Sequence, residues 1–216
     1  MKIFKDRQHA GLELANLLQQ YHLSPNVLVM ALPRGGVPIG YEIAKALHVP
    51  FDIFLVRKIS LPKQKELAIG AIADGNVCVF NDKIKDMLDV VEQEEVDKII
   101  ESEKEELKRR NQMYRQGKTF PEIKDHHIIL VDDGIATGAS IKAAILALQQ
   151  HQPSAISIAV PVAPNTTLEV LKPLVKEIIC LDPVESFSCV AESYVYFPQV
   201  TDEEVINTLK ESGFDI

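Results

Sequence analysis

The chain has 216 residues, 46% of them hydrophobic and 25% charged, enough for a globular core of ordinary size. Its net charge of −8 and pI near 5.3 argue against sequence-independent binding to DNA or RNA, which needs a basic footprint, but leave room for a local anion site. No apolar run approaches the roughly 20 residues that cross a bilayer, and Met1 to Arg7 lacks the apolar centre of a signal peptide, so a cytoplasmic protein is expected.

His9 to Tyr21 reads as an amphipathic helix, with Leu12, Ala15 and Leu18 on one side and Leu14 and Leu17 widening the face. Ser24-Pro25-Asn26 breaks it. Val27 to Leu32 is a short apolar strand, and Val37 to Leu47 reads as a helix. Between them lies Pro33-Arg34-Gly35-Gly36, a turn in which Arg34 offers fixed donors to an anion and the glycines expose backbone N–H groups. Phe51 to Val56 is another buried strand, ended by the cations Arg57 and Lys58. Ile59 to Glu66, with Pro62 and the charged Lys63, Lys65 and Glu66, reads as a mobile loop. Leu67 to Ala73 and Val77 to Phe80 are strands joined by the hairpin signal Asp74-Gly75-Asn76.

Residues 82–118 change character. Glu92 to Arg115 is crowded with charge around a thin stripe of Val96, Ile99, Ile100, Leu107 and Met113, which predicts one long, largely exposed helix. Glu101–Lys104 and Glu105–Arg109 fall at helical spacing for ion pairs. Adjacent His126 and His127 do not share a face and read as structural. The cysteines, Cys78, Cys180 and Cys189, have no paired spacing and apolar neighbours, so small buried thiols are expected.

The stretch from His127 to Ser140 is the most informative. His127-Ile128-Ile129-Leu130-Val131 is a buried strand; Asp132 and Asp133 stand at its end; Gly134-Ile135-Ala136-Thr137-Gly138 forms a turn; and Ile141, Ala144, Ile145 and Leu148 mark a helix. Helix N-termini and glycine-rich turns attract phosphate, with hydroxyls from Thr137 and Ser140 to help. Carboxylates suit ribose hydroxyls or a divalent cation better than they suit phosphate. A Walker A loop would need lysine after Gly138, and a dinucleotide fingerprint would need a third glycine at a set position; neither is present. A receiver domain would carry its acidic pair near its start, and a purely structural strand-turn-helix stays open.

Val131 to Ser140 resembles the phosphoribosyl-pyrophosphate (PRPP) motif of type I phosphoribosyltransferases: an apolar strand, two acids, two variable residues, then Thr-Gly and a small or hydroxyl residue. Pro33-Arg34-Gly35-Gly36 and Val56-Arg57-Lys58 are similar to stretches shared by the group described as predicted phosphoribosyltransferases. The resemblance spans about residues 26–182 and implies a single α/β domain: an open parallel sheet flanked by helices, a helical insertion at about 82–118, and a small hood from 1–24 and 183–216. It implies Mg²⁺-dependent transfer of the 5-phosphoribosyl group from PRPP to a nitrogenous acceptor, with release of pyrophosphate. Asp132 and Asp133 would hold the ribose hydroxyls, and Gly134, Ile135, Ala136, Thr137, Gly138, Ala139 and Ser140 the 5′-phosphate. Arg34, Gly35, Gly36, Arg57 and Lys58 would face pyrophosphate, with Lys58 favoured slightly over Arg57, and a non-proline cis peptide is expected near Arg34-Gly35. Mg²⁺ would be carried mainly by PRPP, with Asp132 and Asp133 as its protein partners. The flexible 59–66 loop would close over the ligand. The same fold serves PRPP-sensing nucleic-acid-binding regulators and non-catalytic phosphate binders; homodimers are common in such enzymes.

In the remainder, Gln152-Pro153-Ser154 is a turn, Ala155 to Val160 a strand, Pro161 to Pro164 a rigid loop, Thr166 to Leu171 a short helix and Val175 to Leu181 the last sheet strand. Phe187, Tyr194, Tyr196 and Phe197 cluster in the expected hood; Phe187 and Tyr194, with the loop at Asp182-Pro183, are candidates for base binding. Thr201 to Glu204 opens a final helix with capping chemistry.

Overall fold

A computed structural model describes residues 2–61, 64–75, 77–80, 93–185 and 188–213, with backbone alone at 61, 64–69, 93 and 95. The expected tip residues Pro62 and Lys63, the start of the 82–118 segment and Phe187 lie outside the described residues. The sequence reads as one domain; the backbone divides into two compact units, one of residues 1–54, 121–138 and 152–216, the other of residues 55–120 and 139–151.

The first unit is built on a parallel sheet of order β2-β1-β6-β7-β8, formed by Phe51–Ile53, Val27–Ala31, His127–Val131, Ala155–Pro164 and Glu177–Val184. Every residue of β1 and β6 is buried, which is why both read as unbroken apolar runs instead of alternating ones. The helices α1 (Arg7–Leu17), α2 (Gly36–Leu47), α5 (Asn165–Leu171) and α6 (Asp202–Glu211) belong to this unit. From β1 the chain crosses outward to β2, whereas from β6 it proceeds the other way to β7 and β8. The strand order therefore reverses between β1 and β6, the kind of place where open α/β sheets bind ligands.

Three expectations change here. The face α1 buries is Ala10, Gly11, Leu14 and Ala15, followed by Leu18; Leu12 and Leu17 are half exposed, because the helix starts at Arg7 and packs by a different stripe. The rigid loop expected at Pro161 to Pro164 is the continuation of β7, paired to β8 as far as Pro164↔Val184. Proline is tolerated because β6 pairs with β7 only up to Val131↔Ala159, so one flank of the strand has no ladder to serve. Asp182 and Pro183 accordingly lie within β8 and not in a loop.

The second unit carries an antiparallel sheet of β3 (Val56–Leu61), β4 (Gln64–Ala73) and β5 (Val77–Phe80), with α3 (Gln93–Arg115) and α4 (Ala139–Gln150) packed against it. The strand expected over Phe51 to Val56 is broken at Phe54-Leu55, and its end joins this second sheet. Ile59–Leu61 and Gln64–Glu66 are strand, so the expected mobile loop is two arms of a hairpin in register at Leu61↔Gln64. The Asp74-Gly75 turn follows the sequence reading, with Ala73 opposite Val77. On α3, Val96, Leu107 and Tyr114 are buried; Glu101 pairs with Lys104 at 2.7 Å, but Arg109 chooses Glu106 at 2.7 Å over Glu105. Cys78 and Cys189 are exposed and Cys180 half-buried, not the buried thiols expected; Cys78, on the edge strand β5, lines a cavity with Lys104 and Leu107 of α3. Among the described residues no helix is long and apolar enough to cross a membrane.

Asp74 organises this unit. It is 1% exposed and accepts from the Leu55 N–H at 2.8 Å, Asn111 Nδ2 at 2.6 Å and Arg115 Nη2 at 3.2 Å. Burial pushes its carboxyl up and Arg115 opposes that shift. An Asp74→Ala substitution removes the carboxylate that the buried Arg115, Asn111 and the Leu55 N–H share, so urea titration should show a loss of about 3–5 kcal/mol.

Candidate active site

The two loops singled out by sequence leave adjacent strands. Arg34-Gly35-Gly36 follows β1, and Asp132 to Gly138 follows β6; the Leu32 N–H donates to the Val131 carbonyl at 2.9 Å and ties their bases together. The loops then pack with no side chain between them. A Cβ on Gly36 would stand 2.7 Å from the Val131 carbonyl oxygen and 3.0 Å from Asp132 Cα, and a Cβ on Gly35 would overlap the Asp133 carboxylate. The cis peptide falls at Pro33–Arg34, one bond before the expected place. Arg34 is half exposed and makes a long ion pair with Asp202, Nη1 to Oδ1 3.6 Å, at the first turn of α6.

The acidic loop is pinned along its length. The Ile135 N–H donates to the Val162 carbonyl at 2.9 Å, on the part of β7 that β6 does not reach. Thr167 Oγ1 donates to the Ala136 carbonyl at 3.0 Å, and Tyr194 Oη to the Asp133 carbonyl at 2.7 Å. Gly138 turns the loop with φ of +75°, a backbone state that L side chains avoid, while Thr167 Cγ2 would stand 2.7 Å from an added Cβ. Ala139 and Ser140 are the first residues of α4, where the sequence places the phosphate-binding helix start.

Asp132 and Asp133 are half-buried neighbours, and the Asp133 N–H donates to Asp132 Oδ1 at 2.9 Å. Burial pushes both carboxyls above the usual carboxylate range; for Asp132 the adjacent charge of Asp133 adds to it. Opposing this on Asp133 is Arg7, whose Nε and Nη2 donate to Oδ2 at 3.0 and 2.8 Å. Burial, with the charge of Asp133 next, pushes the Tyr194 hydroxyl far up, so it stays a proton donor.

Other expected members are placed differently. Arg57 and Lys58 lie on β3 of the second unit, side by side in a strand and so on opposite faces. Arg57 is held by Glu103 at 2.6 Å. Tyr194 is buried between Phe4 at 5.6 Å and Phe197 at 4.7 Å between ring centroids, so its ring faces are occupied and it props the loop instead of offering a face to a base. Asp182 accepts from the Lys2 N–H at 2.6 Å. His127 is structural as expected, with Nε2 2.8 Å from Ser157 Oγ in the core. Arg7 is the member that sequence reasoning passed over; a lone cation at a helix start carries no local signal, and its partner is 126 residues away.

An open parallel sheet with an acidic pair and a glycine turn at its switch point places the chain among the open α/β folds that bind ligands at the carboxyl ends of their strands. The chain is matched over residues 2–194 by the model of the phosphoribosyl transferase domain, and it belongs to that family. It is 37% identical over 217 residues to a Mycobacterium tuberculosis protein named "Putative phosphoribosyl transferase", covering all of this chain and 48% of that protein; the chain thus spans about half the length of the curated relatives it matches. A solved structure, TT1426 from Thermus thermophilus, superposes with a TM-score of 0.88 at 35% identity, covering 99% of this chain and 100% of that one. The AQ2163 protein from Aquifex aeolicus shares the fold, with a TM-score of 0.51 at 11% identity over 84% of this chain and 76% of that one.

The packing of the loops and the burial of the acids can both be tested by substitution. Gly36→Ala gains helix propensity of about 1 kcal/mol but meets backbone that cannot step aside, a cost of about 1–3 kcal/mol, so a lower melting temperature is expected. Asp132 binds its proton more tightly folded than unfolded, so its ionisation costs stability progressively as pH rises from the usual carboxylate range through its raised value, and in full above that. Asp132→Asn, which keeps the acceptor for the Asp133 N–H, should therefore melt higher than wild type at about pH 7.5, and the gap should close as pH falls into the usual carboxylate range.

Proposed function

We propose that the protein transfers the 5-phosphoribosyl group of PRPP to a nitrogenous base or related acceptor and releases pyrophosphate, with Mg²⁺. The observation that carries this reading is the direct packing of the Gly35-Gly36 turn against the Asp132-Asp133 turn at the ends of neighbouring parallel strands. One ligand can then be gripped at once by acceptors suited to sugar hydroxyls and by donors suited to an anion.

In this reading Asp132 and Asp133 accept from the ribose 2′ and 3′ hydroxyls, and the backbone and hydroxyls of Gly134 to Ser140 hold the 5′-phosphate. The bond from C1′ to pyrophosphate breaks, its electron pair leaves with the pyrophosphate oxygen, and a nitrogen lone pair of the acceptor forms the new bond and gives up its proton. The sugar becomes cationic on the way, and two nearby carboxylates favour that charge while fixing its orientation. Arg34, with the Gly35 and Gly36 amides, receives the leaving anion; its 3.6 Å contact to Asp202 is long enough to exchange for a phosphate oxygen. Lys58 is the second cation in this reading.

Among the described residues no cluster of three metal-ligating side chains exists, and one oxygen of Asp133 is already committed to Arg7. That donor set fits a magnesium ion borne by substrate oxygens, with at most one or two protein carboxylates. When bound, the ion supplies charge neutralisation on the pyrophosphate. Exposed, unpaired thiols at Cys78 and Cys189 suit a reducing cytoplasm.

The test is to mix the protein with PRPP, Mg²⁺ and a panel of purine and pyrimidine bases and follow pyrophosphate release. Turnover with one acceptor, reduced at least about 100-fold in an Asp132→Asn, Asp133→Asn protein, supports the reading. Full activity in that double variant contradicts the assigned roles, and PRPP binding without turnover on any base would favour a sensor.

A further inference from the structure

Arg7 stands at the first position of α1 and is only 8% exposed, an unusual burial for arginine. Each of its donor groups is used. Nε and Nη2 converge on the single oxygen Oδ2 of Asp133, at 3.0 and 2.8 Å, and Nη1 donates to the Pro198 carbonyl at 2.7 Å. Its guanidinium carbon lies 3.7 Å from the centroid of the Phe197 ring. Phe197 stacks on Tyr194 at 4.7 Å, and Tyr194 donates to the Asp133 carbonyl at 2.7 Å. Asp133 is thus clasped by side chain and by backbone, and both clasps trace back to the segment from Tyr194 to Pro198. A planar guanidinium whose third edge and face are fixed cannot rotate without breaking several contacts, so it holds Oδ2 in one place and leaves Oδ1 outside the fork.

We propose that Arg7 is a positioning residue for sugar recognition: it sets the Asp133 carboxylate to meet a vicinal diol, and its anchorage on Phe197 and Pro198 makes the C-terminal segment part of that sugar site. This rests on the ribosyl-phosphate reading above. A lysine cannot reproduce the function, because an ammonium has no planar face to lie on Phe197 and no fixed fork to span Asp133 Oδ2 and the Pro198 carbonyl together. The phosphate-binding part of the loop, Gly134 to Gly138, is pinned separately by Val162 and Thr167 and does not depend on Arg7.

Calorimetric titrations of the full chain with ribose 5-phosphate, 2-deoxyribose 5-phosphate and inorganic phosphate separate these roles. Wild type should favour ribose 5-phosphate over the deoxy sugar by about tenfold or more, the contribution of one charge-assisted hydrogen bond. In Arg7→Lys and Arg7→Ala that preference should collapse towards unity while affinity for inorganic phosphate is kept, and free guanidinium ion should restore part of it in Arg7→Ala. A preference intact in Arg7→Lys, a parallel loss of phosphate and sugar affinity, or tighter sugar binding than wild type would each overturn the proposal. If Arg7→Ala does not fold, Arg7→Lys decides. Failure of the wild type to bind ribose 5-phosphate at all would strike the ribosyl-phosphate reading itself, a result distinct from the others.

Discussion

The structure depends on two backbone turns being in van der Waals contact with nothing between them. Gly36 lies against the Val131 carbonyl and Asp132 Cα, and Gly35 against the Asp133 carboxylate. That approach is available only because β1 and β6 are neighbouring parallel strands in register from Val27↔His127 to Ala31↔Val131, so their ends emerge at the same height. Neither loop has much meaning alone. A Pro-Arg-Gly-Gly turn is an ordinary surface turn, and an acidic pair after a strand is an ordinary helix start. Brought together, they set carboxylate acceptors directly beside a glycine-rich turn that carries an arginine.

The acids themselves are placed against the interest of stability. Both carboxyls are pushed up by burial, and Asp133 charges its neighbour further. The groups that offset this are the Asp133 N–H and the fork of Arg7. The desolvation cost of placing two adjacent carboxyls here is therefore met within the fold itself. The ties from Val162, Thr167 and Tyr194 fix the loop's backbone from three separate segments.

The second unit repeats the theme with a structural purpose. Asp74 sits in a turn at the end of β4, almost fully buried, and is tolerated because Leu55, Asn111 and Arg115 all point at it. The sequence marked Asp74-Gly75-Asn76 as a hairpin on turn chemistry alone, which was sound, but held no hint that the same side chain would hold α3.

What could be read from the chain itself was local. Unbroken apolar runs marked β1 and β6, the charged stripe marked α3, and Thr201 with Glu204 marked the capping box seen at α6. Side-chain period, turn chemistry and capping act over a few residues, so they leave a trace in consecutive letters. What failed depended on which segments meet. Pro161 reads as a break until β6 is seen to stop two residues earlier, and Ile59 to Glu66 reads as loop until β3 and β4 are paired. Leu12 and Leu17 read as core until α1 has chosen its face. Arg7 lies 126 residues from the acid it holds. The sequence alone determined the elements and the chemical character of the two loops; the tertiary structure decided which side chains hold them, because burial and pairing belong to contacts between distant segments, and no short window of the chain contains both partners.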